Sequence, residues 1–307
     1  MGIALGIIGF GEVGGIFARG LLGKEGIDTV HAWDLKFADP TTGEELRAAA
    51  GRDGIRAEAD MAALCARADL LISAVTASNT LDVAREAARH ARAGSRFLDL
   101  NSASPGTKGQ CADALQAVGV DYVEAGVMTS VPPYGIRVPM LLGGAKAAAL
   151  AEMLGGWGMD ARVVSDRLGI ASAIKMSRSV MIKGLEALVI ESYTTARRYG
   201  VEAHVLPTLK ETFPQIDWDR QGAYFFSRVV QHGKRRAEEL REAARTVQEA
   251  GYAPTMANAI AEKQDEIARL AREGVFDGLA AGAPWEAYAD RLIARTLSPV
   301  LPEAKAL

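Results

Sequence analysis

The turn that follows the first apolar run constrains this chain most. Ile3-Ala4-Leu5-Gly6-Ile7-Ile8 has the length of a buried strand, Gly9-Phe10-Gly11-Glu12-Val13-Gly14 follows at once, and residues 16–22 resume with the apolar spacing of a helix. Strand, glycine turn and helix together form the context in which G-x-G-x-x-G has a mechanism. The first glycine makes the tight turn, the second lets a pyrophosphate approach the backbone, and the third packs helix on strand. The phosphates then lie at a helix N-terminus, where unbonded amides and the helix dipole favour anions. The next strand, Thr29-Val30-His31-Ala32-Trp33, ends in Asp34, twenty residues after Gly14. An acidic side chain there accepts hydrogen bonds from an adenosine ribose. Gly9, Phe10, Gly11, Glu12, Val13, Gly14 and Asp34 are therefore the expected dinucleotide contacts. Asp34 repels a 2′-phosphate and points to NAD, while Lys36, two residues on, offsets part of that repulsion and leaves NADP open.

Strands and helices then alternate as they do in a parallel sheet. Residues 59–68 read as a short helix and Leu70-Leu71-Ile72-Ser73-Ala74-Val75 as a buried strand. Ligands of such sheets bind beyond the carboxyl ends of the strands, so Val75 and Thr76 are further cofactor candidates, with Ser78 as a cap for the next helix. The strand at 96–100 runs into Asn101-Ser102-Ala103-Ser104-Pro105. Its small hydrogen-bonding side chains can grip a carboxylate or hydroxyl without filling a pocket, and Ser104 with Pro105 also reads as a plain helix start. Asn101 falls where it can serve cofactor or substrate.

A long helix is expected over 170–198. Lys175 and Ser179, four apart, share a face of it, and Ile174, Met181, Leu185 and Leu188 form an apolar stripe expected to be buried. Taken alone, Lys175 is a surface lysine on a core helix; the glycine turn upstream gives it another use. Helices follow at 205–213, 223–230, 232–248, from Pro254 to about 272, and 285–297, with a loose tail from Pro299. The expectation is an α/β Rossmann domain with a mostly parallel, doubly wound sheet over 1–164, and an all-α domain over 165–307 entered by the long helix.

Composition narrows the function classes. The net charge of -3 argues against nucleic acid or an anionic membrane as the main partner. No segment approaches twenty uninterrupted apolar residues, and the apolar start lacks a basic leader, so neither a span nor a signal peptide is read. Cys65 and Cys111 lack a paired motif, and the four histidines lack ligand spacing. Both patterns suit a reduced, cytoplasmic protein without a metal site. The basic group His232, Lys234, Arg235 and Arg236 reads as a carboxylate or phosphate anchor, or as ion pairs with Glu238 and Glu239. Trp218 and Tyr224 read as core packing or an aromatic wall.

GFGEVG with Asp34, the loop Asp99-Leu100-Asn101-Ser102-Ala103-Ser104-Pro105, the stretch Tyr122-Val123-Glu124-Ala125-Gly126-Val127-Met128-Thr129-Ser130, and Gly169 through Lys175 together resemble the β-hydroxyacid dehydrogenases. These include the 3-hydroxyisobutyrate and tartronate-semialdehyde enzymes and are related to 6-phosphogluconate dehydrogenase. The resemblance implies that Lys175 is the catalytic lysine, that Ser102 belongs to the substrate loop, that Met128, Thr129 and Ser130 line the substrate pocket, and that the helical domain forms a homodimer. Two departures stand out: the family usually has Ser-Gly-Gly at 128–130 and asparagine at 179. The Pro132-Pro133-Tyr134-Gly135 insertion points to a branch with its own helical domain.

As an alcohol's C–H hydride departs, its hydroxyl proton must leave too, and a lysine in a dry pocket takes and returns that proton, or stabilises the alkoxide as a cation. Ser179 and Asn101 are placed to orient the lysine or the substrate. Decarboxylation needs an additional acid. Glu186 lies about 16 Å along the helix from Lys175, so simple oxidation is expected. The rival readings are an imine or enamine reductase on the same architecture and an NAD-binding sensor without turnover.

Overall fold

The computed structural model describes residues 2–295; the expected tail from Pro299 and the end of the expected last helix lie outside the described residues. Eight strands form one sheet: β1 (Ile3–Ile8), β2 (Ile27–Trp33), β3 (Arg56–Ala57), β4 (Leu70–Ser73), β5 (Arg96–Asp99), β6 (Asp121–Val127), β7 (Met140–Gly143) and β8 (Ala161–Ser165). Their spatial order is β3-β2-β1-β4-β5-β6-β7-β8. Only the β6–β7 pair is antiparallel. Helices α1 (Glu12–Leu21), α2 (Gly43–Arg52), α3 (Met61–Arg67), α4 (Thr80–His90), α5 (Pro105–Gln116) and α6 (Ala147–Gly156) connect the strands, giving the expected mostly parallel Rossmann sheet.

The register explains why the strands read as nearly continuous apolar runs. Ala32, Ile7, Ile72, Leu98 and Val123 stand side by side across five strands, all of them buried. A parallel strand covered by helices on both faces has no side to give to water. The chain builds β2 and β3 on one side of β1 and returns with β4 on the other. The strand order therefore reverses at β1, and Gly9 stands at that switch point. The cap expected at Ser78 does not form. Residues Ala77–Asn79 make a short 3₁₀ turn, α4 begins at Thr80 without a side-chain cap, and Ser78 Oγ meets Thr76 Oγ1 at 3.1 Å. Ser104 does cap α5, accepting from Thr107 N at 3.1 Å, with Pro105 at the first position.

The rest of the described chain is helical: α7 (Ile170–Tyr199), α8 (Glu202–Thr212), α9 (Trp218–Glu249), α10 (Thr255–Arg272) and α11 (Trp285–Ala294). The two helices expected at 223–230 and 232–248 are one, α9, of 32 residues. Gly233 marks a close crossing within it. A Cβ there would come within 2.7 Å of the Gln264 carbonyl oxygen on α10. The chain divides into two compact units, one of Met1–Arg178 with Arg245–Ala253, the other of Ser179–Ala244 with the residues from Pro254 on. The second unit has its own core of Val189, Ile190, Tyr193, Phe226, Trp285 and Tyr288. Tyr193 and Trp285 meet edge to face at 4.8 Å. Trp218 is buried in this core, whereas Tyr224 is exposed.

Candidate active site

The three glycines of the turn answer to different demands. Gly9 has φ 87°, which L side chains rarely adopt, and a Cβ on it would stand 2.6 Å from the Ala74 carbonyl oxygen. Gly14 is wedged under the turn, where a Cβ would overlap the Gly9 carbonyl oxygen and lie 3.2 Å from Ile7 Cγ2. Gly11 differs from both. Its φ of −77° and ψ of −160° suit any residue, and nothing lies within 4 Å of its Cβ position. The protein's own packing therefore demands glycine at 9 and 14 but not at 11. An exposed glycine facing open space at the N-terminus of α1 fits a pyrophosphate that must come close to the backbone.

Asp34 is tied to this turn. Its Oδ2 accepts from Phe10 N at 2.7 Å and its Oδ1 from Lys36 N at 2.8 Å. A carboxylate offers about four lone-pair positions, so both oxygens keep capacity for ribose hydroxyls. Val75, half-buried, donates its N–H to Asn101 Oδ1 at 2.7 Å, and Asn101 Nδ2 donates to Ser73 Oγ at 2.9 Å. The Asn101 side chain thus stitches the end of β5 to the end of β4. Thr76 is exposed and Ser102 half-buried. Gly9–Gly14, Asp34, Val75, Thr76, Asn101 and Ser102 all follow the carboxyl ends of β1, β2, β4 and β5, one edge of the sheet.

Two features bring Lys175 to the neighbouring strand. The first is Gly126 on β6. A Cβ there would lie 3.0 Å from the Ala171 carbonyl oxygen and 3.4 Å from Lys175 Cβ, so its absence lets the first turns of α7 lie on the strand. The second is Glu124, fully buried on β6. Its Oε1 accepts from Gly169 N at 2.7 Å and Ala171 N at 3.0 Å, and Oε2 accepts from Ser172 Oγ. The opposite residue on β7, Gly143, leaves room for that carboxylate. A negative charge on the opening amides of a helix is favourable, and here it fixes where α7 begins. Lys175 itself is half-buried; Met128, also half-buried, and exposed Thr129 and Ser130 follow β6 directly.

Beneath the substrate-loop candidate lies a second buried group. Asp99 Oδ1 pairs with Lys108 Nζ at 2.9 Å and accepts from Asn101 N at 2.9 Å, while Oδ2 accepts from Tyr122 Oη at 2.7 Å. Burial, with the Asp99 charge adding to it, holds the Tyr122 hydroxyl well above its usual pKa. This group fixes the turn out of β5. The signal for it and for Glu124 was available: ionisable residues inside otherwise apolar strand and helix patterns.

Along α7 the buried row differs from the one expected. Ser172, Met176, Ser179, Lys183, Glu186, Ile190 and Tyr193 recur at alternating spacings of four and three, and all are buried. Ile174, Met181 and Leu188, expected inside, are 39%, 66% and 55% exposed. Leu185 is half-buried. Ser179 belongs to the second unit, where its Oγ accepts from Lys183 Nζ at 3.2 Å. Glu186 is held by Arg236, with Nε at 2.9 Å, and by Gln264 Nε2 at 3.3 Å. Arg236 therefore serves an interior ion pair with Glu186, while Arg235 of the same basic group stands 3.8 Å from Glu239 Oε1, as the ion-pair reading expects. Among the described residues no group of three or more His, Cys, Asp or Glu could hold a metal ion, and no helix is long and apolar enough to cross a membrane.

A topological switch point, a glycine turn opening onto α1 and an acid at the end of β2 define a dinucleotide-binding protein of the Rossmann class. The family model for the NAD-binding domain of 6-phosphogluconate dehydrogenase matches residues 4–168, more than half of the chain, and the protein belongs to that family. A second model, a domain of unknown function (DUF1932), matches residues 196–267. The chain is 38% identical to a conserved hypothetical protein of Sinorhizobium meliloti, with 96% of this chain and 97% of that one covered at a TM-score of 0.75. It shares its fold with the 3-hydroxyisobutyrate dehydrogenase of Mycobacterium tuberculosis, at 14% identity, 95% and 99% coverage and a TM-score of 0.67. It also shares it with a reductive aminase of Aspergillus terreus, at 20% identity, 94% and 99% coverage and a TM-score of 0.56. The fold is thus 3-hydroxyacid dehydrogenase-like, and the reductive aminase shares it.

Proposed function

We propose that the protein is an NAD-dependent dehydrogenase that oxidises the hydroxyl of a β-hydroxy acid or a related alcohol, or reduces the corresponding carbonyl, with Lys175 as the general acid and base. When bound, the dinucleotide supplies the hydride acceptor or donor at its nicotinamide ring. Gly9–Gly14 and the opening amides of α1 hold the pyrophosphate. Phe10, Glu12 and Val13 flank it, Asp34 accepts from the adenosine ribose, and Val75, Thr76 and Asn101 border the path toward the nicotinamide. Because both Asp34 oxygens are turned toward backbone amides, its charge stays at the ribose and disfavours a 2′-phosphate, which supports NAD over NADP. Lys175 Nζ takes the hydroxyl proton as the substrate is oxidised and returns it in the reverse direction. Ser102, Met128, Thr129 and Ser130 surround the substrate, and Asn101 also keeps the substrate loop in place; Ser179, on the part of α7 that belongs to the second unit, is the remaining substrate candidate. Glu186, neutralised by Arg236, is not available as the second acid a decarboxylation needs.

The observation that carries this reading is Gly126, whose missing side chain lets α7 set Lys175 against β6, next to the strand ends that form the dinucleotide edge. The exposed apolar residues Met181, Ile182 and Leu188 on α7 support a homodimer that covers them. The two free, buried cysteines suit a reducing cytoplasm. The test is a panel of β-hydroxy acids, simple alcohols and imines with NAD or NADP, or their reduced forms for the reductive direction, followed at 340 nm, on wild type and Lys175→Ala. The expected result is NAD-linked oxidation of a hydroxy acid that falls about 10²–10⁴-fold in the variant, with NADH affinity kept. Turnover surviving within about threefold in the variant refutes the role of Lys175, and reduction of imines alone moves the protein to the aminase chemistry.

A further inference from the structure

The last turns of α9 make contacts that none of these steps uses. Arg245 and Glu249 stand four residues apart on that helix, so they share a face, and both belong to the first unit with the sheet. Glu249 accepts from Ser104 Oγ at 2.7 Å through Oε1 and from Gly106 N at 2.9 Å through Oε2. Arg245 Nη1 donates to Thr107 Oγ1 at 3.2 Å. All three contacts fall on the start of α5, directly after the substrate-loop candidate.

Helix α5 does not need this carboxylate in order to begin. Pro105, at its first position, has no N–H, Thr107 N already donates to Ser104 Oγ, and Lys108 N donates to the Ser104 carbonyl at 2.9 Å. The amide left over is that of Gly106, which is exposed, so water could serve it. Glycine also weakens a helix relative to alanine. Its use here lies in space: a Cβ at Gly106 would stand 2.4 Å from Glu249 Oε1. The glycine leaves room for a carboxylate from a distant part of the chain to reach the backbone.

What that carboxylate holds is the far end of the loop. The near end is tied at Asn101, whose N–H donates to Asp99 Oδ1 and whose side chain joins Ser73 and Val75. Asn101, Ala103 and Ser104 are buried, and Ser102 between them is only half-buried. We propose that Glu249 is a positioning residue: with Arg245 it straps the start of α5 and fixes the second anchor of the loop that presents Ser102 to the substrate. The role of Ser102 rests on the dehydrogenase reading, whereas the strap is a property of the loop itself.

The test uses the full-length protein with NAD and 3-hydroxyisobutyrate, 3-hydroxybutyrate or whichever alcohol of the panel is turned over, and follows hydrogen exchange over residues 101–107 by mass spectrometry. Glu249→Ala is expected to raise KM for the substrate about tenfold, with kcat and NADH affinity within about threefold, and to speed exchange in the loop. Added acetate should settle on the opened helix start and reverse much of both effects in the variant and not in the wild type. In Gly106→Ala the new methyl displaces the carboxylate while improving the helix. That variant should raise KM in the same way with Tm held or raised, and add less than about twofold to Glu249→Ala. An unchanged KM in Glu249→Ala, or a rise in KM that comes only with matching losses of Tm and NADH affinity, overturns the proposal. A wild type that turns over no compound of the panel removes the dehydrogenase reading, and loop exchange then decides the strap by itself. Faster exchange in both variants, slowed again by acetate in Glu249→Ala, supports it, and unchanged exchange overturns it.

Discussion

Gly11 and Gly14 belong to one six-residue turn, yet replacing each with alanine should do opposite things. At Gly11 a new methyl group enters open space on a backbone that already suits an L residue. The folded state meets no clash and the unfolded chain loses freedom, worth about 0.4–1 kcal/mol, while alanine is a poorer N-cap for α1 than glycine, so the two effects roughly offset. At Gly14 the methyl overlaps the Gly9 carbonyl oxygen and crowds Gly9 C at 2.9 Å. A backbone carbonyl cannot swing aside as a lysine tip can, so α1 must move off β1, at about 1–3 kcal/mol or more. At about 2–4 °C per kcal/mol for a body of this size, Gly14→Ala should lower Tm by roughly 2–12 °C, and Gly11→Ala should leave it about level. Binding should separate them in the other sense. A methyl at Gly11 stands where the pyrophosphate must approach, and the loss of one charged hydrogen bond, about 1.5–3 kcal/mol, weakens NADH by roughly 10–150-fold. Thermal unfolding by circular dichroism and titration of NADH fluorescence decide the matter. A Gly11→Ala protein that binds NADH like wild type, or that melts as early as Gly14→Ala, would refute the assignment of the open space to the dinucleotide.

Two further outcomes follow from buried groups in the first unit. Glu124→Gln removes the charged acceptor at the start of α7, which should cost about 1.5–3 kcal/mol of stability. Turnover should fall about tenfold while NADH affinity holds within about threefold; equal losses of turnover and NADH affinity would show that the carboxylate does not specifically support Lys175. Burial, with the Glu86 charge second, pushes the Cys65 thiol from 9.0 up to about 12. The unfolded chain gives up that proton as pH rises through 9 while the folded chain keeps it, so stability is full below pH 9 and declines from there toward pH 12. Denaturant titrations at pH 8 and 10 should show the decline, and Cys65→Ala should abolish its thiol component. An unchanged difference between the two pH values in that variant would assign the decline to other groups.

The sheet was readable because its signals are local. Ile3–Ile8 and Leu70–Ser73 are apolar on both faces, and a glycine turn or a polar loop closes each strand. The turn was readable at Gly9 and Gly14, which the backbone needs, while Gly11, with open space at its Cβ position, is the glycine that the proposed dinucleotide would use. What the pattern could not supply was pairing between residues far apart in the chain. Glu124 meets the start of α7 across 45 to 48 positions, and Arg236 meets Glu186 across 50. Neither end of such a pair carries a mark that names the other. The single helix α9 was expected as two, divided at 231, and Gly233, two residues on, sits where α10 crosses, a contact that the local pattern does not carry.

The face of α7 was misread for a different reason. Helical periodicity finds a stripe but assigns it inward by assuming that apolar means buried. Two stripes of the same period run along this helix, and the mostly polar one, with Ser172, Ser179, Lys183 and Glu186, is the one that is buried. Its charges are tolerated because each meets an opposite: Lys183 meets Glu239, and Glu186 meets Arg236. The apolar stripe then remains exposed, and fully burying a side chain such as Leu188 or Met181 is worth about 1.5–3 kcal/mol. A chain folding alone would gain by turning the helix over, unless the polar row is needed inside and a second copy covers the apolar one. The ion pairs with Glu239 and Arg236 hold the polar row inside, and the proposed dimer would cover the other. The apolar stripe that misled the burial assignment is therefore the face that the proposed dimer would cover.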